Sequence, residues 1–311
     1  MARLTGSHAW LHIQDFEVDA AFQLGVLKGS LFKRFALLAE RALMNRFDTV
    51  STISNKMLEH ASKKGIDLWR LVRFPNWSDT ERIYPLSRPS RLRDELGIPQ
   101  TAIIVLYSGN MGVKQGLEVL AAAAIDLKDR SNLVFVFCGI GPARLAAHAV
   151  CGAAPNCRFI DLRPLDELNE LLNLADIHVL PQRADVSDLV MPSKLNGMFA
   201  SGRPVVAMAS PGTELHEVVA PRGVVVTPGD APSLTAAIER LANDAAERAK
   251  LGLAGRDFAL AWLSRDAVLG EFDARLRMRR RRSDLLDCEV SGNGPVLDVR
   301  PDDVQTARTD V

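Results

Sequence analysis

Tyrosine and cysteine are scarce in the 311-residue chain, with two Tyr and four Cys. Cys138, Cys151, Cys157 and Cys288 form no CxxC pair, and Cys138 sits in an apolar run, so a small core residue in a reducing compartment is the natural reading. No apolar run reaches the length of about 18 residues that a membrane span needs, and no signal-peptide pattern opens the chain. No cluster of His and acids points to a catalytic metal. Neither sign of charge dominates, since Lys+Arg and Asp+Glu are both 38, and nothing in the balance calls for a polyanionic partner. These absences lead to the expectation of a cytoplasmic protein without bound metal, cofactor or nucleic acid.

What is present is the pattern of an α/β protein. The length corresponds to roughly two domains of about 150 residues, and 47% hydrophobic and 24% charged residues are ordinary for a folded chain. Residues 1–86 read as part of a domain. They hold a strand-like run at 9–13, a helix over about 26–46, a strand at 49–53, and a helix from an N-cap at Ser54 to Lys64. In the first of these helices Leu27, Leu31, Phe35, Leu38 and Leu43 recur at helical spacing, while Lys28, Lys33, Arg34, Arg41 and Arg46 ride on other faces. Residues 75–79 form a turn cluster and 87–97 read as a linker. From Thr101 strands at 103–107, 133–138, 158–161, 177–180, 204–207 and 224–226 alternate with helices. Several are apolar on both faces, which predicts a parallel sheet covered on two sides. The expected division is 1–86, 87–282, and a polar, disordered tail at 283–311 preceded by a dense Arg run.

In such sheets ligands sit at the carboxyl ends of the strands, which directs attention to four loops. Gly109, Asn110 and Lys114 follow a strand and precede a helix. Glycines there let a backbone approach a phosphate and Lys114 adds positive charge, although an ordinary strand–helix turn has the same look. Gly139-Ile140-Gly141-Pro142 is a second Gly-rich strand exit. It fails as a dinucleotide fingerprint because the sixth position is Arg144, and alone it reads as a turn. Met191-Pro192-Ser193-Lys194-Leu195 opens a helix with normal capping residues. Lys194, however, opposes the helix dipole, and a bound anion accounts for it better than helix stability does. His12 and Asp15 end the first strand, where a structural histidine is as natural as a functional one.

Taken together, residues 10–17, 50–54, 74–77, 107–116, 139–142, 192–195 and 200–206 resemble, in order and spacing, the retaining family-four glycosyltransferases of the GT-B fold, colanic-acid biosynthesis type. The resemblance runs from about Ala9 to about Leu276. It implies two Rossmann-like domains with parallel sheets, the N-terminal one incomplete here, a nucleotide-sugar donor, and a saccharide or polyprenyl-linked saccharide acceptor. The family's Arg and Lys on the donor phosphates fall on Asn110 and Lys114, so half of that clamp is replaced. Gly139, Gly141, Arg163 and Leu165 correspond to the walls around the base. The family's Glu-x7-Glu motif falls on Leu189 and Gly197, neither acidic, with Asp188 adjacent. Ser193, Lys194 and the neighbouring backbone at Leu195 are the substitutes expected on the phosphates. His12, Gln14 and Asp15 match the stretch facing the sugar, and His12 and Asp15 are the residues expected in catalysis. Retention with a nucleoside diphosphate leaving calls for stabilised charge on that diphosphate more than for an enzymic nucleophile.

Two other functions stand beside a hexosyltransferase of exopolysaccharide assembly. One is a truncated, inactive remnant that binds nucleotide sugar or another protein. The other is a sugar-nucleotide epimerase, whose acids and histidines should cluster at the cleft and do not. The basic helix and the Arg run at 275–282 are read either as contacts to anionic membrane, at the inner face of the plasma membrane, or as solvated charge.

Overall fold

The computed structural model describes residues 5, 7–16, 18, 19, 22, 29–183 and 191–290, apart from the side chains of Ser30 and 279–290. The chain divides into two compact units, residues 1–268 and 269–311. The first carries two parallel sheets. In the smaller, β1 (Trp10–Ile13), β2 (Thr49–Thr52) and β3 (Leu71–Arg73) lie in that order, Trp10 opposite Thr49 and Val50 opposite Leu71. Parallel neighbours need crossover connections, and α1 (Ser30–Met44) and α2 (Asn55–Lys63) supply them. The expected cap at the start of α2 is made, with Met57 N donating to Ser54 Oγ at 3.2 Å. Met44, Val50, Met57, Ala61 and Phe16 form the core of this part.

The larger sheet holds β4 (Ile103–Ser108), β5 (Leu133–Cys138), β6 (Cys157–Ile160), β7 (Ile177–Leu180), β8 (Val205–Met208) and β9 (Val224–Val226) in the order β6-β5-β4-β7-β8-β9. All six residues of β5 are buried, as apolar runs in a doubly covered sheet must be. One face packs against α4 (Leu117–Asp126), α5 (Ala143–Cys151) and, later in the chain, α9 (Ala231–Asn243), through Leu117, Ala121, Ala147, Leu234 and Ile238. The other packs against α6 (Leu168–Leu174), α7 (Lys194–Ala200) and α8 (Glu214–Val219). The chain winds outward from β4 to β6 and then returns to β7 on the other side of β4. The carboxyl ends of β4 and β7 therefore part at a topological switch point, where a crevice opens.

The predicted linker at 87–97 contains a short helix, α3 (Leu92–Glu95), whose Leu92 is buried in the larger core. After α9 come α10 (Ala245–Phe258), a π-helical turn Ala259–Leu263, and α11 (Arg265–Val290). α11 passes Ser283, where the tail is expected to begin, and residues 291–311 lie outside the described residues. Among the described residues no helix is long and apolar enough to cross a membrane.

Candidate functional site

The exits of β4 and β5 pack on each other. Gly109 N donates to Cys138 O at 2.9 Å and Met111 N to Ile140 O at 2.8 Å. Glycine is required at this contact. At Gly139, φ is 150° and a Cβ would stand 2.0 Å from Gly109 O. At Gly109, φ is 118° and a Cβ would stand 2.7 Å from Lys194 Cε. The glycines thus admit neighbouring protein rather than an open approach to ligand, and Gly109 clears the path of a lysine side chain. Gly141 packs in the same way on Met111 O.

That lysine is the electrostatic centre of the region. Lys194 Nζ donates to Tyr107 Oη at 2.6 Å and to Asn110 O at 3.2 Å, and lies 4.3 Å from the centroid of the Tyr107 ring. Tyr107 Oη donates in turn to Asn110 O at 2.5 Å. No carboxylate among the described residues is within ion-pair distance of Lys194. Burial pulls its pKa down to about 8 and pushes the Tyr107 phenol up. An ammonium has three donors and only two acceptors are in place here, so one remains for an incoming oxygen. A half-buried cation with no carboxylate beside it among the described residues carries a desolvation cost, and an anionic ligand offsets that cost. Ser193 precedes α7 in αR conformation and makes no side-chain cap. The capping role read from the sequence is not taken up, and the Ser193 hydroxyl is exposed.

Two cavities meet at these residues. One of ≈ 250 Å³ is bounded by Gln14, Asp15, Ile53 and Asn76 on one side and by Lys114, Gln115, Gln182, Ser193 and Lys194 on the other. The second, of ≈ 490 Å³, is lined by Gly109, Arg163, Leu165, Ser193 and Lys194 together with Trp77, Asp79, Arg82, Asp166, Asn169 and Gly197. Ser193 and Lys194 belong to both. Arg163 is held on its wall by Glu95 and Glu167, each at 2.8 Å, so its charge is already balanced. Asn110 contributes its carbonyl to Lys194 but lines neither cavity, and Gly139 and Gly141 line neither. Leu195 is also absent from both walls. Its side chain is fully buried in the core and its N–H is taken by Pro192 O at 3.1 Å. Gly197 faces the larger cavity without an acid, while Asp188 and Leu189 lie outside the described residues.

His12 stands behind the smaller cavity. Gln14 Nε2 donates to His12 Nε2 at 2.7 Å, the ring's Nδ1 lies 2.9 Å from Ser51 Oγ, and Phe74 meets the ring edge-on at 5.2 Å. Burial lowers the pKa of the imidazole, against a hydrogen bond to the Ser51 backbone that raises it. A neutral ring accepting at Nε2 carries its proton on Nδ1, toward Ser51. Of the two residues expected in catalysis, Asp15 lines the cavity, whereas His12 lines neither cavity and fixes Gln14, which does.

Two further contacts join the parts that face each other. Glu214, at the start of α8, accepts from Asn55 N at 3.0 Å and Lys56 N at 2.8 Å, the free donors at the head of α2. Asn196 Nδ2 donates to Asn76 O at 2.7 Å, tying α7 to the wall of the smaller cavity.

The chain is 36% identical over 282 residues to the putative colanic acid biosynthesis glycosyl transferase WcaI of Escherichia coli, covering 88% of this chain and 68% of that protein. It belongs to the group 1 glycosyl transferases. The family itself, described as glycosyl transferases group 1, matches residues 102–244, the stretch that carries Lys114, Arg163, Ser193 and Lys194. The chain is also 27% identical over 260 residues to a GDP-mannose-dependent alpha-(1-6)-phosphatidylinositol monomannoside mannosyltransferase of Mycolicibacterium smegmatis, covering 79% of this chain and 67% of that one. In shape it is similar to HepE of Anabaena, solved in complex with UDP and glucose, with a TM-score of 0.71 at 17% identity over 89% of this chain and 73% of that one. The fold is GT-B. Within this glycosyltransferase the sequence reading missed Tyr107, Asn196 and Glu214. The only signal for Tyr107 was position, as one of two tyrosines and at the end of a strand. For Asn196 and Glu214 there was none, because their partners are distant in the chain.

Proposed function

We propose that this glycosyltransferase moves a hexose from a nucleoside-diphosphate sugar to a lipid-linked saccharide acceptor of exopolysaccharide assembly, with retention at the anomeric carbon, on the cytoplasmic side of the membrane. The observation that carries the reading is Lys194, a half-buried cation with no carboxylate among the described residues within ion-pair distance, at the junction of two cavities. The larger cavity takes the nucleoside and the smaller takes the sugar. Their shared wall of Ser193 and Lys194, with Lys114 on the same side of the smaller cavity, takes the diphosphate. As the bond from the anomeric carbon to the phosphate oxygen breaks, negative charge grows on that oxygen, and fixed cations and hydroxyls there lower the barrier. The acceptor hydroxyl forms the new bond to the same carbon and passes its proton to the departing phosphate oxygen. Asp15 and Gln14 hold the sugar hydroxyls, and His12 holds Gln14. The relatives support the same classes of ligand: one uses GDP-mannose and a phosphatidylinositol glycolipid by its name, and HepE was solved with UDP and glucose.

The test is to incubate the protein with UDP- and GDP-hexoses and polyprenyl-diphosphate saccharides. Mass spectrometry reads the gain of one hexose, and NMR reads the anomeric configuration. Transfer with the donor's configuration is expected. An inverted product contradicts retention, and neither binding nor turnover with any donor leaves the inactive-remnant reading in its place.

A further inference from the structure

We infer that the outward face of α1, with the turn at Leu68–Arg70, docks the protein on an anionic lipid bilayer. The inference deepens the proposal of a lipid-linked acceptor by naming the surface that meets the lipid. α1 is amphipathic in the reverse sense to an ordinary surface helix. Its Met44 is buried in the small core and its Leu37 is half-buried, yet Leu31 is 78% exposed, Phe35 76% and Leu38 55%. These three stand at i, i+4 and i+7, one stripe on the side away from Leu37 and Met44. Leu43 is exposed on the flank of the same stripe. The turn extends the surface beyond the end of the helix. Arg70 donates to Asn45 Oδ1 at 2.9 Å and to Met44 O at 3.3 Å, which brings Leu68 and Trp69 beside it, 75% and 63% exposed.

Charge decides the occupant. Lys33, Arg34, Arg41 and Arg46 are exposed along α1 and just after it, whereas the helix has one acid, Glu40, already paired with Lys64. A second copy docked through this face would bring like charges together. α1 borders neither of the two cavities described above, and its exposed apolar residues form an outward stripe. An exposed apolar stripe accompanied by cations, with an exposed tryptophan at the nearby turn, suits the headgroup boundary of an anionic membrane, where apolar burial and attraction to lipid charge act together.

The experiment is sedimentation of the full chain with vesicles of phosphatidylcholine alone and of phosphatidylcholine with phosphatidylglycerol. Melting temperature and nucleotide binding are read in parallel. Binding is expected only with the anionic vesicles, at least tenfold weaker for the double variant Phe35→Ser, Leu38→Ser, and weaker for Arg34→Glu, with melting temperature unchanged. If the serine variant does not fold, the parent still reports: Trp69 emission should be quenched by bromine-labelled lipid, and the Trp69→Phe protein should lose that quenching. Equal binding to both vesicle types, or none, overturns the inference, as does anionic binding that survives the serine pair but is lost on deletion of residues 279–311. A dimer that dissolves in the serine variant, with no vesicle binding, also overturns it and makes the face an interface between copies. Nucleotide binding that persists through any of these failures leaves the transferase reading standing.

Discussion

In the proposed site Lys194 serves the ligand rather than stability, and its substitution should separate the two. Replacing it by Ala removes a half-buried charge that no carboxylate among the described residues offsets, so the melting temperature of the free protein should hold or rise. Nucleoside-diphosphate affinity should fall by about 30- to 150-fold, the equivalent of a charge-assisted hydrogen bond worth about 2–3 kcal/mol. A calorimeter and a binding titration on the same variant show both directions. The pH dependence also has opposite signs. The folded pKa of about 8 lies below the ordinary value of 10.5, so the unfolded chain binds more protons between them. This group's cost to stability is fully present below about pH 8 and fades as pH rises toward 10.5. Donor binding needs the charged form and should weaken through pH 8, by about fivefold from pH 8 to pH 9 as Lys194 deprotonates. A dissociation constant flat across that range would remove Lys194 from the phosphate site. Gly109→Ala makes the geometric test. Its methyl group meets Lys194 Cε at 2.7 Å at a φ of 118°, so the variant should lose nucleotide binding more than the conservative size of the change would indicate.

At the scale of elements, the head of α2 is completed by a residue from the other side of the cleft. Ser54 serves Met57 N, and Glu214 serves Asn55 N and Lys56 N. Glu214→Ala should leave two donors without partners and cost about 1–3 kcal/mol of stability in urea unfolding. Turnover should fall further than nucleotide affinity, because Gln14 and Asp15 lose their placement against Lys114 and Lys194. A variant with parental urea midpoint and parental rate would show that the contact is incidental.

The strands of this fold were legible because β4, β5 and β7 are apolar on both faces, and α2 because Ser54 and the run after it make a local cap. α10 was not legible. Its buried positions include Gly252 and Gly255, and a helix packed through glycine has no apolar stripe to read. Within the site, charge was legible at Lys194, since a lysine in the first turn of a helix needs a reason, and at Lys114, which follows a Gly-rich strand exit. The roles of Gly139, Leu195 and His12 were not. Each depends on what stands opposite: Gly109 O, the core against α7, and Gln14.

At the scale of the whole molecule, two parallel sheets contribute complementary halves of one cleft. The smaller brings Gln14, Asp15 and, past β3, Asn76; the larger brings Lys114, Ser193 and Lys194 at its switch point. The account stands on the cleft binding a nucleoside diphosphate through those cations. The most direct test is the melting temperature of the purified chain against a panel of nucleoside diphosphates and their sugars. A ligand bound only by the folded state raises stability with the logarithm of its concentration over its dissociation constant, about 2.7 kcal/mol at a hundredfold excess. The account predicts a rise with one base, cut to less than about 1 kcal/mol at the same concentration in Lys194→Ala and reduced in Lys114→Ala. A rise that is unchanged in Lys194→Ala, or none with any nucleotide, would contradict it.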